Sequence, residues 1–153
     1  MFTHKSLSLI LLILFFSTSL HSQKLSRTER KIIDMVKSLD QESISFLEKV
    51  VNINSGTLNQ KGVKEVGKVF GTAFNEIGFE TKWIEMPEEM NRAGHLFASV
   101  DGDKGKKLLL IGHLDTVFEE NSPFQTFERF NDSMAYGPGA NDMKGGDVSY
   151  FTH

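Results

Sequence analysis

From Ser26 onward, apolar residues recur at helical spacing, with Ile32, Ile33, Val36 and Leu39 forming one stripe. Asp40 then reads as the N-cap of a second helix carrying Ile44, Leu47, Val50 and Val51. Asn52 to Asn59 is polar and glycine-containing, and reads as a loop. From Lys61 to Ile77 the residues Val63, Val66, Phe70, Phe74 and Ile77 lie along one face of a third helix. Gly78 closes that helix as a left-handed cap, while Gly67 and Gly71 weaken it from within.

The period then changes. Phe79 to Met86 alternates as a half-buried strand, Pro87 with Glu88 and Glu89 breaks it, and Leu96 to Val100 supplies another short strand. After the polar turn Asp101 to Gly105, Leu108-Leu109-Leu110-Ile111 is an unbroken apolar run. That pattern predicts a central strand buried on both faces. Phe124 to Ala135 is weakly patterned, with room for one edge strand at Phe127 to Phe130. The glycine-rich stretch Gly137 to Gly146 leads towards a helix starting near Asp147. Helices followed by a buried strand predict an α/β layered fold.

The first residues follow a different rule. Lys5 precedes an apolar run from Leu7 to Phe16 and then Ser17-Thr18-Ser19, the layout of a secretory signal peptide. About ten apolar residues are half of what a membrane span requires. Residues 1–22 are therefore read as a cleaved signal, cut near Ser22-Gln23 or after Ser19, and residues 23–153 as the domain. The expected location is outside the cytoplasm, periplasmic or secreted, with no stable membrane anchor after cleavage.

Charge and cysteine usage narrow the chemistry. The 153-residue chain has a formal charge of −3 and no cysteine. Loss of Lys5 with the signal makes the charge more negative, so no basic surface for nucleic acid is expected. A disulfide scaffold and thiolate metal ligands are excluded, and any metal must sit on histidine and carboxylates.

His113 directly follows the apolar run, at a strand end of the kind where α/β sheets gather ligands. Asp115, two residues on, is spaced to hydrogen-bond the second imidazole nitrogen of a metal-bound histidine. By spacing alone, a strand-capping histidine beside a turn aspartate reads equally well. Asp142 stands among glycines, where a short carboxylate can project into a cleft, although Asn141-Asp142 has the composition of a turn. The stretch lacks the full pattern of a phosphate-binding P-loop.

Together, Gly112-His113-Leu114-Asp115-Thr116 with its preceding strand, and Gly137-Pro138-Gly139-Ala140-Asn141-Asp142-Met143-Lys144-Gly145-Gly146, resemble the glutamate carboxypeptidase and aminoacylase type of zinc metallopeptidase. The resemblance runs from about Asp40 to Asp147 and includes Asn54-Ser55-Gly56-Thr57 and Asn91-Arg92-Ala93-Gly94-His95. It implies the first part of a three-layer α/β/α catalytic domain with a site for two zinc ions, replaceable by cobalt or manganese. In that site His113 ligates one metal, Asp115 orients His113, and Asp142 bridges both. The implied reaction is hydrolysis of an amide bond in a peptide or N-acyl amino acid by a metal-activated water.

The resemblance also implies residues that this chain does not have. The family's general-base glutamate, an adjacent metal-binding glutamate, a further acidic ligand and a late histidine follow the bridging aspartate. Glu119-Glu120 precedes Asp142 and is out of order for that role. The lid or dimerisation domain is likewise absent, so a homodimer would belong to a full-length form. Tyr136 replaces an arginine common before Gly-Pro-Gly, and Ser149 to His153 stands where an apolar helix would continue. One histidine and one aspartate are too few for two zinc ions, and the chain by itself is expected to be inactive. The alternative reading is a secreted, non-catalytic fragment that associates through an exposed sheet edge. His95 and Trp83 read as structural, Glu88-Glu89 as a solvated loop, and Lys144 as loop packing or a surface charge; His153 stands at a terminus, where chains fray.

Overall fold

The computed structural model describes residues 24–150. The expected signal peptide and His153 lie outside that range. The chain divides into two compact units, Met1–Asp34 and Met35–His153. Helix α1 (Arg27–Ser38), which runs through the boundary between them, begins with a reciprocal cap. Glu29 N–H donates to Ser26 Oγ (3.1 Å), and Ser26 N–H donates to the Glu29 carboxylate (2.6 Å). Its apolar stripe is not buried: Ile32, Ile33 and Val36 all remain exposed.

In the second unit, helix α2 (Asp40–Val51) follows with one intervening residue. Asp40 was expected to cap this helix, but Leu39 occupies the cap with near-helical angles and no side-chain bond. The two helices are joined too closely for an extended cap residue, so the Asp40 carboxylate instead lies in the first turn, where the helix dipole favours it. Helix α3 (Gln60–Glu76) is capped by Asn59, whose side chain accepts from Gly62 N–H. Gly78 has φ of +90°, the left-handed closure expected of it.

Strands β1 (Glu80–Ile84) and β2 (His95–Ser99) pair antiparallel, with Trp83 opposite Leu96 and Thr81 opposite Ala98. These four residues share the half-buried face. Gly67 of α3 leaves the space that the Trp83 ring enters, since a Cβ there would overlap the indole. The glycine that weakened the helix by propensity thus admits the sheet. Trp83 Nε1 donates to the carbonyl of Ala93 (3.2 Å), tying the β1–β2 connection to the same ring.

The core is small. Val50, Val66, Phe70 and Val148 form its buried centre, with Phe46, Leu47, Leu96 and Leu114 among the residues packed around it. Phe46 meets Phe70 edge to face, with centroids 5.4 Å apart. The expected single edge strand is a hairpin, β3 (Glu128–Asn131) with β4 (Met134–Tyr136), which carries a register irregularity. A short helix α4 (Gly145–Val148) is the last of the described elements and starts slightly before the expected Asp147.

One expectation is overturned. Leu108 to Ile111 belong to no ladder among the described residues, and the four side chains are 54% to 82% exposed. A strand buried on both faces needs hydrogen-bonded neighbours and a layer on each side. Neither two-stranded sheet reaches this segment. The described architecture is mixed helix and small antiparallel sheets, and a three-layer arrangement is not among its elements. Among the described residues no helix is long and apolar enough to cross a membrane.

Candidate functional site

The loop between α2 and α3 runs beside residues 114–116. Gly56 and Thr116 form an isolated parallel bridge. Thr116 N–H donates to the carbonyl of Ser55 (2.8 Å), and Thr57 N–H donates to the carbonyl of Thr116 (3.0 Å). The buried Ser55 hydroxyl donates to the carbonyl of Leu114 (2.9 Å). Two stretches remote in sequence therefore hold one another through their backbones, and side chains complete the lock. Thr57 Oγ1 donates to Asp115 Oδ2 at 2.6 Å, which leaves the other carboxylate oxygen to face His113.

His113 Nδ1 stands 3.0 Å from the carbonyl oxygen of Asp115 and 3.3 Å from Asp115 Oδ1. Both oxygens only accept, so Nδ1 carries a hydrogen. On the opposite side of the ring, Nε2 lies 3.0 Å from Asp142 Oδ1. A neutral imidazole with its hydrogen on Nδ1 would direct a lone pair at the carboxylate. The contact is attractive only when a positive charge lies along it. Burial disfavours the imidazolium, but the Asp142 hydrogen bond, the Asp115 carbonyl and the two carboxylates outweigh it, and the His113 pKa is raised.

Asp142 lies in the irregular turn Ala140–Lys144, with the extended angles φ −130°, ψ 94°. Its side chain is 84% exposed. The turn closes through Lys144 N–H donating to the carbonyl of Gly139 (2.9 Å), where Gly139 itself has φ of +74°. Lys144 is wholly buried. Of its two readings, loop packing is the one realised, and surface charge is not.

Asp147, five residues after Asp142, is 4% exposed, and its Oδ2 has no hydrogen-bond partner among the described residues. Burial pushes its pKa up to about 6, against a smaller opposing influence of His113. The carboxylate fills the space over Gly112 that a Cβ would occupy. Tyr150 Oη donates to the carbonyl of Ile111 (3.1 Å). The segment entering His113 is thus held at two successive residues by the chain around α4.

His113, Asp115 and Asp142 stand together. The other acidic and imidazole candidates do not join them. Glu119 accepts from Leu58 N–H (3.1 Å) and packs over Gly56, bracing the loop. Glu88 and Glu89 are exposed in the turn Glu88–Met90, and His95 opens β2 on its exposed side. Asp147 and Tyr150 carried no signal of their own, and Ser55 and Thr57 entered only within the stretch Asn54-Ser55-Gly56-Thr57, with no role assigned. A loop threonine is unremarkable until the residue it meets, 58 positions away, is known.

The donor set suits a divalent metal in kind. One imidazole nitrogen and one carboxylate oxygen converge, and donors to a tetrahedral zinc stand roughly 3 to 3.5 Å apart. In number it falls short: no group of three histidine, aspartate or glutamate side chains able to hold a metal occurs among the described residues.

Comparison with known proteins adds a direction. No family model matches the chain. Over 105 residues it is 33% identical to carboxypeptidase G2 of Pseudomonas sp. (strain RS-16), a stretch covering 69% of this chain. The chain spans about a quarter of that relative's length, 25%. By this likeness it is similar to a carboxypeptidase, and so to a hydrolase, over the greater part of its own length.

Proposed function

We propose that this chain carries part of a carboxypeptidase-like zinc hydrolase site. His113 and Asp142 are its metal donors, Asp142 bridges two ions, and Asp115 positions His113. The observation that carries the reading is the convergence of His113 Nε2 and Asp142 Oδ1 at 3.0 Å, with Nδ1 already committed to Asp115. A cation is what two such acceptors call for. The likeness to carboxypeptidase G2 supports the reaction class.

Metal in such a site, when bound, polarises an amide carbonyl and acidifies a water. Cobalt or manganese suits the same ligands. The proposed substrates are peptides or N-acyl amino acids. What the residues of this chain contribute is preparation. Asp115 fixes the imidazole with its Nε2 face outward, and Thr57 holds Asp115 so that this orientation costs nothing further on binding. Two donors do not enclose a metal pair, so the chain alone should bind zinc weakly and turn over no substrate. The layout of residues 1–22 supports export to the periplasm or medium.

Isothermal titration of the 153-residue chain with zinc chloride tests the donor assignment. Weak saturable binding is expected, lost in His113→Ala and in Asp142→Ala and kept in His95→Ala. Binding that survives both substitutions overturns it. Zinc-dependent hydrolysis of an N-acyl amino acid by the purified chain, abolished by His113→Ala, would show that these donors suffice without others.

A further inference from the structure

Lysine is among the residues least often fully buried, and removing an ammonium from water costs several kcal/mol unless it is well hydrogen-bonded. Lys144 nevertheless has no exposed surface. Its Nζ donates to the carbonyl of Val50 at 2.8 Å and to that of Ile53 at 3.1 Å. Val50 lies in the last turn of α2, where helix carbonyls lack internal partners and the helix dipole presents negative charge. The ammonium therefore closes the end of α2 from more than 90 residues away.

The other end of the same residue frames the site. Lys144 N–H closes the turn on Gly139, and Gly145 N–H donates to the carbonyl of Ala140. Asp142 sits inside that closed turn with a side chain that is mostly in solvent, and His113 is the partner its carboxylate has. No carboxylate pairs with Lys144 among the ion pairs of the described residues. A buried, unpaired ammonium at this place fits an anchor better than packing alone, which an uncharged chain would serve at lower cost.

We propose that Lys144 is a positioning residue: its ammonium, seated on the carbonyls that end α2, anchors the turn that presents Asp142 to His113. The proposal rests on the reading of His113 and Asp142 as a functional pair. Its test uses neither metal nor substrate, so it fails or stands independently of zinc binding.

The readout is the side-chain 15N resonance of His113 Nε2, which reports its bond to Asp142. Asp142→Ala supplies the reference for the broken contact. Lys144→Met, which keeps length and apolarity, is expected to move the His113 resonance most of the way to that reference while the helical circular dichroism is retained. Because the chain has no cysteine, Lys144→Cys can be alkylated at that position alone in the unfolded state and refolded. Aminoethylation, which rebuilds a lysine-like ammonium, should restore the wild-type resonance, and carbamidomethylation should not. An unmoved resonance in Lys144→Met, or equal rescue by both alkylations, overturns the proposal. Should the variants fail to fold, the wild-type chain still decides: at pH 5 and low temperature the Lys144 ammonium, seated on two carbonyls, should give a 1H–15N signal shifted from those of the exposed lysines, and a signal coincident with theirs overturns the proposal.

Discussion

The charge state of Asp147 bears directly on this chain's stability. Its carboxyl titrates near 6 when folded, from an ordinary value of 3.8. The folded state therefore holds a proton more tightly than the unfolded chain. Below pH 3.8 both are protonated and no penalty exists. Between 3.8 and 6 stability falls as pH rises, and above 6 the full cost of a buried carboxylate is present. Asp147→Asn should therefore raise the urea-unfolding free energy at pH 7.5 by about 1 to 3 kcal/mol, with little change at pH 4. An equal gain at the two pH values would show that it does not come from the charge of the carboxylate. Residues of this kind could not be read in advance. His113, Asp115 and Asp142 were singled out together because the two motifs that hold them resemble those of one family, whereas spacing alone left each open to a structural reading. Asp147 and Thr57 act only through contacts with residues 112 and 115, which the chain order does not reveal.

Among the elements, the helices were legible and their joints were not. A stripe at helical period in Lys61 to Ile77 is a repeated statement of one face, and α3 follows it. A cap is a single residue, and Asp40 lost that role to Leu39 because one residue is all that separates α1 from α2. Strand β4, three residues long and exposed at each of them, has no buried face to alternate with. The entry into His113 is governed instead by close approach. A methyl group at Gly112 would enter the space of the Asp147 carboxylate, whereas Gly102 faces nothing within 4 Å. Gly112→Ala should lower the unfolding free energy by about 1 to 3 kcal/mol as α4 is displaced, and Gly102→Ala should leave it within about half a kcal/mol. Matched urea titrations of the two variants compare them. Similar losses in both would remove the special status of the 112–147 contact.

At the scale of the whole molecule, the run Leu108 to Ile111 separates pattern from context. Four apolar residues in succession specify what a strand would bury, but not whether anything lies alongside to bury it. Here they face solvent, with Leu108 82% and Ile111 77% exposed. An apolar segment whose backbone lies outside any ladder is a template for other chains. The 153-residue protein should therefore self-associate with rising concentration, and Leu109→Lys should shift sedimentation-velocity profiles towards monomer. Unchanged profiles would place the contact elsewhere. The pairing of residues 55–57 with 114–116 has a consequence in time. Thr57 reaches Thr116 across 59 positions, so the clamp on Asp115 can close only after that span of chain has been drawn together. Helices α2 and α3 are made of local contacts and can form early. By the same argument His113 should acquire its orientation late in folding, and the same long loop should be an early one to open when the protein is destabilised.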